Sequence, residues 1–425
     1  MVQIKRRNMI FVVFCVLFIF ALFFRSCTAI IVDDLMEAFS VPTASLGLMA
    51  SAFFYAYAAA QLPVGFLSDR IGVRNTVLCF GLLGVLGSIL FAYSTSIGMA
   101  TWARVLTGVG TAGIFIPSLK YLSLSYRPNE FAILTSVITA VGGLGFMFTG
   151  LPMALLVKKI GWRHSCSLPG AIMLLLILLA WYLMAHPVSD TNGEKVKEQQ
   201  HSQEPVTSQP QGTTAFYHNR YFWSLGLWTL IVHGAFLSFM SLWGAAYLQD
   251  SFNISREIAG SHLMFISLGM IVGGLFWGTM SDRFFRARRP VIFLGTLGVL
   301  LIWVIILFSS AYPGLYYTSL LYFGVGFFSV VFLIALGCAK ELFPASIAGT
   351  AMGAVNAFMF IGVALYQGIS GYMLDYFLET ETVLIAYRSI FILYVVSVVL
   401  ALLLVFFIPE TFPGKQKTSQ FLEAS

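Results

Sequence analysis

Twelve stretches of this chain, at about 9–32, 46–68, 75–93, 97–120, 131–157, 165–186, 221–248, 262–280, 290–311, 313–338, 350–374 and 387–408, stay apolar for the length of a bilayer crossing. No water reaches the backbone there, so each stretch must satisfy its own N–H and C=O groups, and only a helix does that within one segment. The fold class is an all-α membrane protein with twelve transmembrane helices. Of the 425 residues 10% are charged, where a soluble domain carries about 25%. A soluble enzyme, a disordered scaffold and a small disulfide framework are excluded. Lys5-Arg6-Arg7 before an apolar run also fits a cleaved leader, but the run is long, contains Arg25 and belongs to the repeat described next.

Pro187 to Asn219 is the long polar stretch, rich in Glu, Gln, Ser, Thr and Lys, and it cannot bury a core. It reads as a cytoplasmic linker, 187–219, between an N-terminal six-helix bundle, 1–186, and a C-terminal six-helix bundle with a short tail, 220–425. Adding 213 carries Phe39 onto Phe252, Gly47 onto Gly260, Gly65 onto Gly278, Ser68 onto Ser281, Asp69 onto Asp282 and Arg70 onto Arg283. Six identities at one offset point to a duplication. With the N-terminus cytoplasmic, the inner segments hold 17 Lys and Arg and the outer ones five, Lys158, Lys159, Arg163, Arg256 and Arg388. That bias places both termini in the cytoplasm of a multi-pass protein of the plasma (inner) membrane. The net charge of +6 is scattered among the spans, so no nucleic acid is expected. Cys15, Cys27, Cys79, Cys166 and Cys338 have no paired or metal-ligand spacing, and neither a metal nor a cofactor is expected. The expected partners are a small-molecule substrate, a coupling proton and the lipid bilayer, for a chain working as a monomer.

Gly65-Phe66-Leu67-Ser68-Asp69-Arg70-Ile71-Gly72-Val73-Arg74, between the second and third spans, resembles the signature loop of the major facilitator superfamily, and Gly278-Thr279-Met280-Ser281-Asp282-Arg283 is a degraded copy. Arg104-Val105-Leu106-Thr107-Gly108 is similar to that family's second motif, and Pro409-Glu410-Thr411 to a common ending. The resemblance covers nearly the whole chain. It implies a secondary transporter whose halves rock about a central site, gated by Gly65, Asp69, Arg70, Gly72, Arg74, Asp282 and Arg283. Physically, Gly65 permits close helix contact, Gly72 a tight turn, Asp69 favours a helix N-terminus, and Arg70 and Arg74 bridge helices. The plainer alternative makes these charges positive-inside anchors only.

An ionised side chain within a span costs about 3 kcal/mol or more, so each one is a candidate functional residue. All 18 Asp and Glu fall in loops, helix ends or tails, which leaves Arg25, Arg104 and His233. Arg25 stands well along the first span, outside the midplane, with no acid expected at its depth. A planar guanidinium facing a cavity suits a carboxylate or phosphate; alternatively it snorkels, or pairs with Asp33, Asp34 or backbone carbonyls. Facilitators of organic anions are similar in carrying a first-helix Arg, though phosphate and sugar-acid carriers often place an Asp just before it, where this chain has Phe24. Arg104, by the same resemblance, assists proton transfer or holds the first and fourth helices together, and as plain chemistry is equally a donor to neighbouring carbonyls. His233 is either packed and hydrogen-bonded or a coupling group titrating near neutral pH. The repeat offset pairs Arg25 with Ser238. Tyr57 and Gln61 on the second span, and Asn356 and Gln367 on the eleventh, line the cavity or join helices.

No Walker loop, HExxH, GxSxG or CxxC constellation is present, so the chain is not expected to be an enzyme. The expectation is secondary active transport of a small organic solute, anionic or zwitterionic, such as a carboxylate or amino acid. Its substrate-binding side chains would be Arg25, Tyr57, Gln61, His233, Ser238, Asn356 and Gln367, with Asp33, Asp34, Arg104 and His233 as coupling candidates. The alternatives are proton-coupled efflux of lipophilic compounds and a transporter-like sensor that moves nothing.

Overall fold

The computed structural model describes residues 2–185, 219–309, 312–343 and 345–412, so the expected linker lies outside the described residues except for Asn219. Each apolar stretch is helical, and no strand occurs among the described residues. The spans are α1 Val2–Ser26, α2 Thr43–Arg70, α3 Gly72–Ala92, α4 Ile97–Ser125, α5 Pro128–Phe148, α6 Leu151–Leu183, α7 Arg220–Phe252, α8 Arg256–Phe284, α9 Arg289–Phe308, α10 Leu315–Leu342, α11 Ala345–Leu378 and α12 Val383–Val405. A short helix, Val32–Phe39, lies between α1 and α2. Leu175, Leu275 and Phe308 are 68–75% exposed while Arg104, His262 and Gln367 are buried, the inside-out pattern of a chain surrounded by hydrocarbon.

One boundary departs from expectation. The fifth span was expected to reach 157, but α5 ends at Phe148 and a new helix starts at Leu151, with Pro152 in its first turn. Proline is at home there, where its missing N–H would have no partner. That helix turns into the sixth span at Gly161, whose φ of +75° suits a residue without Cβ. Apolar content alone had fused two helices.

Packing repeats with a period of six helices. α1 packs on α5, α2 on α4, and α3 on α4 and α6; α7 packs on α11, α8 on α10, and α9 on α10 and α12. The two sets meet through α2 with α11 and through α5 with α8, each contact the six-helix shift of the other. The Thr28 hydroxyl donates to the Ser241 carbonyl at 3.1 Å, and these residues are 213 apart, as expected where equivalent positions face each other across a two-fold axis.

Twelve crossings return the chain to one face, here the terminal face; the other is the opposite face. The polar contacts between the two sets gather toward the opposite face. Arg256 pairs with Asp34 at 2.6 Å, Lys158 with Glu257 at 2.6 Å, and Ser51 Oγ donates to the Ala364 carbonyl at 2.7 Å. There α2 and α11 touch backbone to backbone: a Cβ on Gly47 would stand 2.5 Å from the Gln367 carbonyl oxygen, and one on Gly371 3.2 Å from the Gly47 Cα. At the terminal-face ends of the same helices, Gly65 and Gly353 have nothing within 4 Å of a built Cβ. The pair is thus in direct backbone contact near the opposite face, and the expected close contact at Gly65 is absent from this arrangement.

Candidate functional site

Arg25 occupies the last turn of α1. Helical side chains lean toward the helix N-terminus, so its guanidinium reaches back among residues near the midpoints of α2, α7 and α11. The sequence expectation of a position outside the midplane holds for its Cα and is corrected for its charge. The guanidinium donates to the Tyr57 hydroxyl and lies over two rings, 4.4 Å from Tyr57 and 4.9 Å from Phe360. Phe360 of α11 also lies 4.6 Å from the Tyr57 ring and 5.9 Å from the imidazole of His233. Cation–π contacts of this kind contribute on the order of 1–2 kcal/mol each, less than removing the ion from water costs. Arg25 is 8% exposed, pairs with no carboxylate among the described residues, and its Nε has no hydrogen-bond partner.

The neighbouring polar groups are unsatisfied too. His233 is 6% exposed, packs edge-on against Phe332 at 4.2 Å, and bonds through neither ring nitrogen. The expected packed histidine is thus packed without its hydrogen bond. Gln61, one turn from Tyr57 toward the terminal face, leaves Nε2 unpartnered. Asn356 stands one turn from Phe360 toward the same face and is partly exposed. A buried polar group without a partner costs about 1–3 kcal/mol, and here Arg25, His233 and Gln61 lie together beside aromatic walls. That set suits a ligand with acceptor oxygens, at least one of them anionic, and an apolar body.

Other expected site residues stand apart. Ser238 is fully buried and accepts from the Tyr394 hydroxyl at 3.3 Å, so it ties α7 to α12 instead of facing Arg25. Gln367 donates to Ser241 Oγ at 2.9 Å beside the backbone contact at the opposite face. Arg104 donates to the Phe24 carbonyl at 2.7 Å and lies over the Phe53 ring, joining α1, α2 and α4. That is the helix-holding role among those expected of it. Asp34 is engaged with Arg256, while Asp33 beside it is exposed.

The terminal-face loops carry a second set of contacts. Gly72 has φ +80° and makes the expected turn. Asp69 pairs with Lys120 of α4 at 2.7 Å, and that ammonium also donates to the Ser68 carbonyl. Arg74 donates to the Trp181 carbonyl and stacks on its ring, bridging α3 to α6 as expected; Arg70 lies over Phe66 of its own helix instead of bridging. In the second set the expected Asp282–Arg283 unit is replaced: Arg283 is exposed, and Asp282 pairs with Arg288, which also holds Glu341 of α10 at 2.7 Å. The two carboxylates, Glu341 foremost, raise the Arg288 pKa above the ordinary arginine value. Glu410 accepts from the backbone N–H groups of Arg288 and Arg289, and Arg289 donates to the Phe406 carbonyl and lies over its ring, as Arg74 does with Trp181. The functional equivalent of Arg74 thus sits 215 positions on, because the loop after Asp282 is two residues longer than the repeat offset allows.

A sequence model described as Major Facilitator Superfamily matches residues 13–365 and, separately, residues 234–424. The "Probable sulfoacetate transporter SauU" of Cupriavidus necator is 23% identical over 388 residues, covering 89% of this chain and 88% of that protein. The "Membrane sensor protein UhpC" of Escherichia coli is 25% identical over 338 residues, covering 75% of each. Among solved structures, a bacterial homolog of the human lysosomal transporter Spinster superposes with a TM-score of 0.74 at 15% identity, covering 95% of this chain and 97% of that one. At that identity the likeness is one of fold.

Proposed function

Because the chain belongs to the Major Facilitator Superfamily, a family of secondary transporters and not of enzymes, we propose that it moves a small organic anion by exposing the Arg25 site to each side of its membrane in turn. The observation that carries this reading is the guanidinium at mid-helix depth with no carboxylate against it among the described residues and an unpartnered Nε. An anion entering there gains a charge-assisted partner and removes a standing desolvation cost. The solute named for the sulfoacetate transporter, a small organic anion, agrees with that chemistry. The terminal face is the cytoplasmic one in this reading, and the structure corresponds to the inward-facing half of the cycle. Arg25, Tyr57 and His233 hold the solute, Gln61 and Asn356 line the route from the cytoplasm, and a proton accompanies it. Ser238 and Gln367 act as helix ties.

Thermal stabilisation tests the site before the solute is known, since a ligand that binds the folded state raises its melting temperature by mass action. Purified parent protein and Arg25→Ala are challenged with carboxylates, sulfonates, amino acids, organophosphates, neutral sugars and lipophilic cations. One acid class is expected to stabilise the parent and not the variant. Equal stabilisation of both by neutral compounds or cations would end the anion reading. Stabilisation without flux in proteoliposomes would instead favour a sensor, the activity named for one relative.

The terminal-face loop yields a second expectation. Asp69, with its side chain 76% exposed, makes no hydrogen bond or ion pair with the other six helices in this state among the described residues, so a gating role requires its differential contact to lie in the other state. Asp69→Asn is expected to reduce uptake by at least about ten-fold with unchanged membrane abundance, ten-fold corresponding to about 1.4 kcal/mol between states. Uptake at the parent rate would make Asp69 a surface charge and nothing more.

A further inference from the structure

The first turn of α2 has no cap of its own. Pro42 precedes it in extended conformation, and no side chain at that position accepts from the helix. By contrast α4, α7 and α8 each begin after a Ser or Asn whose side chain accepts from their own first turn. The first N–H groups of a helix lack internal partners and carry the positive end of its dipole. In α2 they are met from the other set of helices: the Asp375 carboxylate of α11 accepts from the N–H groups of Thr43 and Ala44, both at 2.8 Å, and from the Thr43 hydroxyl. Thr43 is 4% exposed, so water competes little.

We propose that Asp375 is the latch of the state closed at the opposite face. It caps α2 only while α2 and α11 touch, so its hydrogen bonds stabilise that state alone and bias the equilibrium by their full difference. The ion pairs that cross the same face are of another kind. Lys158 and Glu257 have side chains 70% and 26% exposed, and those of Arg256 and Asp34 are about a quarter exposed, so salt screens them. The Asp375 carboxylate is itself partly buried, but it is held by two backbone N–H groups and a hydroxyl, fixed donors that salt does not displace as it does a mobile ammonium. The inference rests on alternation between two states and not on an anionic solute.

The test uses the full chain in lipid nanodiscs without solute, spin-labelled at Ala38→Cys and Glu379→Cys, both exposed at the opposite face, with the exposed Cys79 replaced by Ser. Pulsed dipolar distances then report the two sets at that face. Asp375→Ala, which removes the accepting oxygens altogether, is expected to raise the ratio of long to short distances about ten-fold, the scale of a lost helix cap. Thr43→Val, which removes only the hydroxyl, is expected to move it less and in the same direction, and keeps the test available should the Asp375 variant fold poorly. Asp69→Asn, whose contacts are assigned to the other state, is expected to lower the ratio, and 0.5 M added salt, which shortens the Debye length to about 4 Å, is expected to leave it near the parent value. An unchanged ratio in both latch variants, or an equal rise from Asp69→Asn or from salt, would overturn the proposal.

Discussion

Replacing Arg25 by alanine is expected to lower solute uptake by more than about 100-fold, the scale of losing one partner from a desolvated charge pair. The same substitution is expected to leave the ligand-free melting temperature unchanged or raised. Both signs follow from one fact: without solute the guanidinium is buried against two rings with no counter-charge among the described residues, so it weighs against the folded state until a ligand arrives. A merely structural arginine would show the reverse, a lower melting temperature and little specific loss of uptake. Arg25→Lys keeps the charge and loses the planar fork, and an intermediate fall of about ten-fold is expected. Uptake into proteoliposomes beside thermal unfolding of the same preparations reads both signs. Uptake within a few-fold of the parent in Arg25→Ala would remove the arginine from the site.

The largest effect on folding is expected at Gly326 in α10. A Cβ there would stand 1.9 Å from the carbonyl oxygen of Ile266 and 3.0 Å from the amide of Met270, both in α8. The obstruction is backbone, which cannot change rotamer, and the reverse contacts at Gly269 and Gly273, with Phe323 and Phe327 carbonyl oxygens 2.1 and 2.4 Å away, hold the helices close on both sides. Small residues are what allow such an approach in lipid. Gly326→Val is expected to destabilise by about 3 kcal/mol or more, the upper range for overpacking, and to give little monodisperse protein after detergent extraction. Gly274→Ala in α8, beside Gly273, where the nearest atom to a Cβ is a methyl at 3.9 Å, serves as the comparison and is expected to behave as the parent. A normal chromatographic profile for Gly326→Val would show that the two helices can separate freely.

Much of this fold is legible in the chain because hydrocarbon offers so few solutions: an apolar run of sufficient length has to be a helix. The misplaced end of α5 shows where that logic stops, since Leu151 to Val157 is as apolar as a span and within the run only Gly150 and Pro152 mark its separate course. The site was half legible. Charge in a span singled out Arg25 and His233, and helical spacing joined Gln61 to Tyr57. Phe360 and Phe332, which hold the arginine and the histidine, gave no signal among 40 phenylalanines. Ser238 and Gln367, expected near the solute, bond to Tyr394 and Ser241, partners that sequence alone does not supply because it gives no helix rotation. Lys120 and Arg288 were missed as partners of the loop aspartates, which depend on helices about 50 residues away or on a changed register. Asp375 could have been suspected from its counterpart: a proline ahead of Thr43 leaves a helix start that something else must cap.

The bare backbone contacts at the opposite face have a mechanical consequence. Where Gly47 meets Gly371 and Gly150 meets Gly260, the surfaces are plain bearings and not meshed gears. At these pairs backbone meets backbone, with Met264 the side chain lying beside Gly150, so little friction arises from the glycine contacts themselves. Resistance to movement is concentrated in a few discrete polar ties, and the speed of the cycle can be adjusted one tie at a time while the bearing surfaces stay as they are.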